Sequence, residues 1–210
     1  MRKLAVFAAS VAFGLWATAA SAAITTYSTL TDWQNAVNAI PGLTTFSEPF
    51  NGSGLLPSTG VNPGSNGIIG PARGTGLTGS VWQDFVSRDG GGFTTFSSLG
   101  PLRAAAANWD TTPNDDGQGL VINLNLTGGG LQTVTELQAI HGSFFGFSST
   151  LSFDSFTISA GTGPNLAETF DMDNLKMAVL PTPEPSTLLL VGTGLTGLAG
   201  MVRRRLTRRN

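Results

Sequence analysis

The chain has 210 residues, enough for one domain or two small ones. Charged residues are 11% of it and glycine contributes 28 positions, a profile of short strands and many turns rather than acidic disorder. There is no cysteine, which excludes disulfides, thiolate metal sites and a cysteine nucleophile, and the span from Ala23 to Thr182 carries four bases against twelve acids, a net −8 that phosphate backbones repel, so nucleic acid is not an expected partner.

The chain opens with Arg2 and Lys3, then an apolar run from Leu4 to Trp16, then small residues through Ala23. Ala20-Ser21-Ala22 has the small-x-small form of a signal cleavage site, so residues 1–22 read as a signal peptide and Ala23 as the mature start. Such a segment implies passage through the Sec export machinery. Ile24-Thr25-Thr26-Tyr27 reads as a strand. Thr31-Asp32-Trp33-Gln34 has the form of a capping box with Thr31 as N-cap, and Trp33, Ala36, Val37 and Ile40 make one apolar stripe, so a short helix is expected before Pro41-Gly42. Gly52 to Gly79 is rich in Gly, Pro, Ser and Asn and reads as a long surface excursion.

Strand-like runs then recur: Val81–Val86, Phe93–Phe96, Leu120–Leu126, Val134–Ile140, Phe144–Phe147, Ser152–Ser159 and Leu175–Val179. Val121–Leu126 and Leu151–Ile158 alternate polar with apolar, as half-buried strands do. Many short strands with regular turns predict an all-β domain, an antiparallel β-sandwich over residues 23–180. Burial of Phe144, Phe153, Phe156 and Ile158, at about 1.5–3 kcal/mol each, has to supply its stability without a disulfide.

Catalytic chemistry finds little support. His141 is the only histidine, it sits at a strand-turn junction, and no G-x-S-x-G elbow accompanies it. One histidine without cysteine cannot hold zinc. Oxygen ligands do cluster, as Asp115 and Asp116 in Asn114-Asp115-Asp116-Gly117 and as Asp171, Asp173 and Asn174. These are candidate ligands for a structural calcium ion, although Asn-Asp-Asp-Gly is equally a turn sequence. A glycosidase needs two facing carboxylates, and no pair is singled out by context. Trp82 and Trp109 lie near polar, Gly-rich segments and are candidates to stack on sugar rings, against the usual tendency of tryptophan to be buried.

The C-terminus has three ordered parts. Pro183-Glu184-Pro185 comes first, then an uncharged stretch over 187–202, then a basic tail over 203–210 with five arginines. The stretch of 16 residues would make a helix of about 24 Å, short against a hydrocarbon core of about 30 Å. Its arginines would stay cytoplasmic and place the domain across the membrane. Residues 181–210 thus resemble the PEP-CTERM sorting signal, also labelled an ice-binding-protein C-terminal motif, on the strength of Pro183, Glu184, Pro185, the span and the arginines. That resemblance implies recognition by exosortase, a membrane transpeptidase, and cleavage near Pro-Glu-Pro. The middle is similar to the domains that usually precede such tails, in Thr31–Phe46, in Phe144–Ile158 and in Phe170–Leu175. This implies a jelly-roll-like sandwich with one short N-terminal helix, flanked by a signal peptide and a C-terminal transmembrane helix.

The expected role is that of an exported, non-enzymatic surface or matrix protein. It would be held transiently at the inner membrane and associated with exopolysaccharide or biofilm. A lectin-like carbohydrate-binding module is the first alternative and a secreted hydrolase the second.

Overall fold

The computed structural model describes residues 22–50, 62–65, 76–87, 91–111, 119–137, 140–162, 167–181 and 193–195. Ten strands and one helix follow in the order β1 Ile24–Tyr27, α1 Leu30–Asn38, β2 Thr44–Glu48, β3 Asn62–Ser65, β4 Gly76–Thr78, β5 Val81–Ser87, β6 Phe93–Asp110, β7 Leu120–Leu126, β8 Leu131–Leu137, β9 Ser143–Ala160 and β10 Ala167–Val179. All pairings are antiparallel, in the order β4-β5-β10-β6-β9-β7-β8, with β1 added to β9, β2 to β10 and β3 to β6. The strands enclose one aromatic core, giving the jelly-roll-like antiparallel sandwich expected from the sequence.

The sandwich arises because the long strands bend. Phe147 and Phe156 are nine residues apart in β9, so a straight strand would separate them by about 30 Å. Their ring centroids lie 5.7 Å apart, and Phe147 also meets Phe153 at 6.0 Å. The first half of β9 pairs with β1 and the second with β7, while β6 follows it through both layers. At the bend the Ser149 hydroxyl accepts from Leu151 N at 3.1 Å, and Arg103 Nε donates to Ser149 O at 2.8 Å. Thr150 N finds Ala23 O at 3.0 Å, and Thr127 N finds Ser152 O at 2.9 Å. The corner therefore leaves these backbone groups satisfied, as burial requires.

Strand β6 turns its own corner at Gly100-Pro101, where its register with β9 shifts between Ser97 and Leu102. Proline has no N–H to give a ladder, so a bend is where a strand tolerates it. Strand β10 carries a bulge between Asp173 and Lys176, with Asn174 at φ +53°. Asparagine enters this left-handed region more readily than most side chains.

Inside, Phe96 stacks on Phe156 at 5.4 Å and meets Trp82 edge-on at 5.5 Å, joining β5 to strands that are not its neighbours. Phe153, Phe156 and Ile158 are fully buried, as expected, whereas Phe144 is half-buried on the outer face. There, α1 lies on the sheet. Trp33, 0% exposed, and Val37 pack on Ala104, Ala106 and Ala178, and Trp33 Nε1 donates to Phe147 O at 3.2 Å. A Cβ added to Gly146 would stand 2.7 Å from Trp33 Cδ1 and 2.8 Å from Ala106 Cβ. Small side chains thus make a flat seat for one large indole.

Four expectations need correction. The helix N-cap is Thr29, not Thr31: its hydroxyl accepts from Asp32 N at 3.2 Å and meets Asp32 Oδ2 at 2.7 Å, so the box is Thr-x-x-Asp one turn edge earlier. The excursion over 52–79 includes two short strands, β3 and β4, which add to β6 and β5. The runs at 144–147 and 152–159 are one bent strand. The strand expected over Phe93–Phe96 runs on to Asp110 through Ala104–Ala107, where Ala105 and Ala107 face the core and Ala104 and Ala106 face the helix.

Trp33→Ala should lower unfolding free energy by about 3–5 kcal/mol, and Gly146→Ala by about 1–3 kcal/mol through overpacking. Urea titrations of the full chain measure both, and an unchanged midpoint for Gly146→Ala would contradict the seat. At the β10 bulge, Asn174→Ala should cost about 1–2 kcal/mol for its left-handed backbone. Asn174→Gly should keep the wild-type midpoint within about 0.5 kcal/mol.

Candidate functional site

Antiparallel register brings together acids that are far apart in the chain. Asp171 of β10 pairs with Asp110 of β6, Met172 with Trp109, and Asp173 with Asn108. With Val81 and Gly142, residues Asn108, Trp109, Asp110, Asp171 and Asp173 line a recess of about 240 Å³ at the far end of β6. Asn108, Asp110, Asp171 and Asp173 are half-buried there. The two Asp173 carboxylate oxygens each accept from Asn174, from its N and its Nδ2, both at 2.6 Å. Three acids, Asp110, Asp171 and Asp173, therefore line one recess. The recess is smaller than the about 300–1,000 Å³ of ordinary small-molecule sites.

The tryptophans are not sugar platforms. Trp109 is 1% exposed, stands 6.2 Å from Phe170, and its Nε1 donates to Phe145 O at 3.2 Å. Trp82 is 8% exposed and held between Phe50 and Phe96. Each indole fills the gap between layers, where its large apolar area gains most from leaving water. Trp109 nevertheless forms the floor of the acidic recess.

Of the oxygen-ligand candidates, Asp171 and Asp173 share the recess, and the Asn174 amide is turned to Asp173. Asp115 and Asp116 lie outside the described residues. Among the described residues no group of three or more His, Asp or Glu is arranged to hold a metal ion. His141 is exposed and its carbonyl accepts from Ser143 Oγ at 3.3 Å.

Three further carboxylates are buried where the sequence singled out none. Glu48 accepts from Phe50 N at 3.1 Å, and Glu168 from Gly119 N at 2.8 Å. Asp84 accepts from Phe85 N at 2.7 Å, from Ser65 Oγ at 2.6 Å and from Thr94 Oγ1, tying β3, β5 and β6 together. Buried charge survives only with such donors.

The described chain is held to the sandwich on both sides, first through Ala22, the last residue of the expected signal peptide, and Ala23, the expected mature start. Ala22 N donates to Gln132 Oε1 at 3.1 Å and Ala22 O accepts from Gln132 Nε2 at 2.5 Å. Ala23 N donates to Thr150 Oγ1 at 2.9 Å. At the other end Leu180 N donates to Pro101 O at 2.9 Å, so the chain leaves the sandwich beside the β6 corner. Ala20, Pro183, Glu184, Pro185 and the apolar stretch 187–202, apart from 193–195, lie outside the described residues, as does the basic tail. No helix among the described residues is long and apolar enough to cross a membrane.

No curated protein matches the chain in sequence. Among solved structures it is similar to carbohydrate-binding modules of family 29. The first module from Piromyces equi has a TM-score of 0.48 at 14% identity, covering 65% of this chain and 91% of that one. A CBM29-2 variant complexed with cellulohexaose has a TM-score of 0.49 at 13% identity, covering 67% and 94%. Residues 181–205, which begin one residue after the contact between Leu180 and Pro101, are a PEP-CTERM protein-sorting motif.

Proposed function

We propose that the chain is an exported, non-enzymatic surface or matrix protein that its tail delivers to exosortase at the inner membrane. The Sec machinery takes it there, and its setting is exopolysaccharide or biofilm. The observation that carries this reading is the sorting motif over 181–205, placed directly behind the last strand of a closed sandwich. Strand β10 ends at Val179, so cleavage near Pro183-Glu184-Pro185 would free the domain without removing a strand. A Gly/Ser/Thr-rich surface with few charges suits a matrix component that needs no discrete catalytic pocket.

A carbohydrate-binding module is the second reading, and the recess favours it. Asn108, Asp110 and Asp171 offer hydrogen bonds of the kind sugar hydroxyls accept and donate, and one sugar edge would fit where a substrate chain would not. The hydrolase alternative would use Asp110 and Asp171, which among the described residues line only the small recess.

Glu184→Ala should leave the tail attached and keep the protein in the membrane fraction. Intact-mass measurement of the cell-surface and membrane fractions tests this, and normal processing of the variant would count against exosortase recognition. For the second reading, the wild-type chain should co-sediment with the polysaccharide of the producing cell and Asp171→Asn should weaken that at least about tenfold, the loss of about 1.4 kcal/mol. Equal retention of both proteins would remove the recess as a sugar site.

A further inference from the structure

The place where the chain leaves the sandwich also carries an exposed apolar side chain. Leu99, 86% exposed, projects from β6 just before Gly100-Pro101. With Phe46, Val179, Leu180 and Pro181 it borders a groove of about 160 Å³ that no charged side chain lines among the described residues. A leucine this exposed is common singly; beside an uncharged groove at a chain exit it marks a contact surface.

The length of the connecting chain says what lies against it. Six peptide steps separate Pro181 from Thr187, where the uncharged stretch begins. Fully extended they reach about 20 Å. The headgroup layer between the hydrocarbon and water takes up about 5–8 Å of that. If the stretch is embedded as the proposed function requires, the face bearing Leu180 and Pro181 cannot stand far from the bilayer. Leu99 is on that face. The acidic recess, with Asp110, Asp171 and Asp173, lies at the opposite end of the paired segment of β6 and β10. The groove on that face has no charged side chain in its described lining, whereas the remote recess holds three carboxylates, so the groove is the face that an anionic headgroup surface repels less; the exposed Asp154, opposite the Ser97–Leu102 bend, accepts from Thr127 Oγ1.

We propose that, before the tail is cut, the Leu99 corner docks on the lipid surface and holds the sandwich in a fixed orientation, with the recess turned away. This rests on the tail serving as a membrane anchor. Docking would also keep the Pro183-Glu184-Pro185 segment close to the membrane surface, where a membrane transpeptidase works. The groove supplies room for an acyl-chain end or a glycerol edge, and Leu99 supplies the apolar contact.

The chain has no cysteine, so a single introduced thiol can be labelled cleanly. The full-length precursor is prepared as Leu99→Cys and, separately, as Ser143→Cys, each carrying a polarity-sensitive fluorophore. Ser143 is exposed and pairs with Trp109 at the recess end. Each is reconstituted in vesicles of phosphatidylethanolamine and phosphatidylglycerol, with and without nitroxide-labelled lipid, and floated on a density gradient. Docking predicts that both proteins float, that emission at position 99 shifts to the blue and loses most of its intensity to the nitroxide lipid, and that emission at position 143 stays water-like. Flotation with a water-like label at position 99 overturns the docking while leaving the anchor intact, and is the outcome if the corner instead meets the transpeptidase. Equal shifts at both positions also overturn it, because they mean undirected adsorption. Failure to float removes the anchor reading and the docking together.

Discussion

The fold depends on the corner of β9, where Phe147, Phe153 and Phe156 converge. An extended strand of 18 residues would be about 60 Å long and could not belong to one compact layer. Folding it at Ser149–Leu151 turns one strand into two walls and lets three of its own rings meet between them. Arg103 and Ala23 take up backbone groups at the turn, so the corner is closed by hydrogen bonds as well as by aromatic area. Strand β6 must bend with its partner, and Gly100-Pro101 is where it does so. The paired bends make one hydrogen-bonded sheet enclose a core, with Trp82, Trp109 and Phe96 filling the space between walls.

The outer face repeats the logic with opposite side-chain sizes. Trp33 needs a flat floor, and Ala104, Ala106 and Gly146 provide it by having almost no side chain. The indole N–H then reaches Phe147 O, on the very strand segment whose ring anchors the inner core. Helix α1 therefore secures the same piece of β9 that the aromatic cluster holds from inside. One large residue against several small ones costs less strain than interdigitating medium ones, and it locates the helix in a single position.

The carboxylates occupy two kinds of place in the sandwich. The buried carboxylates Glu48, Asp84 and Glu168 accept backbone N–H groups, with hydroxyls added at Asp84, and so stiffen strand junctions. Asp110 and Asp171 stand at partner positions of the β6–β10 ladder and, with Asp173, line the recess. That juxtaposition marks the recess end of the sandwich. At the other end the groove beside Leu99 has no charged side chain in its described lining, and the chain continues from there into the sorting motif.

The sequence by itself determined features that depend on residues close together in the chain. The sorting motif was legible because Pro-Glu-Pro, an apolar stretch and arginines follow one another in order. Strands Ile24–Tyr27 and Leu120–Leu126 were legible from composition and alternation, and α1 from its stripe, although its cap lay two residues earlier. Only the tertiary structure decided what depends on register and covering. The alanine run is a strand because a helix covers one face and the core the other. Trp82 and Trp109 lost their reading as stacking platforms because the two walls close over them. The pairing of Asp110 with Asp171, and the groove that Leu99 and Pro181 both line, bring together residues dozens of positions apart. Periodicity reports which side of a strand is apolar, but not which strand lies opposite. That choice is made by the bends, whose energy comes from aromatic contacts across the sandwich.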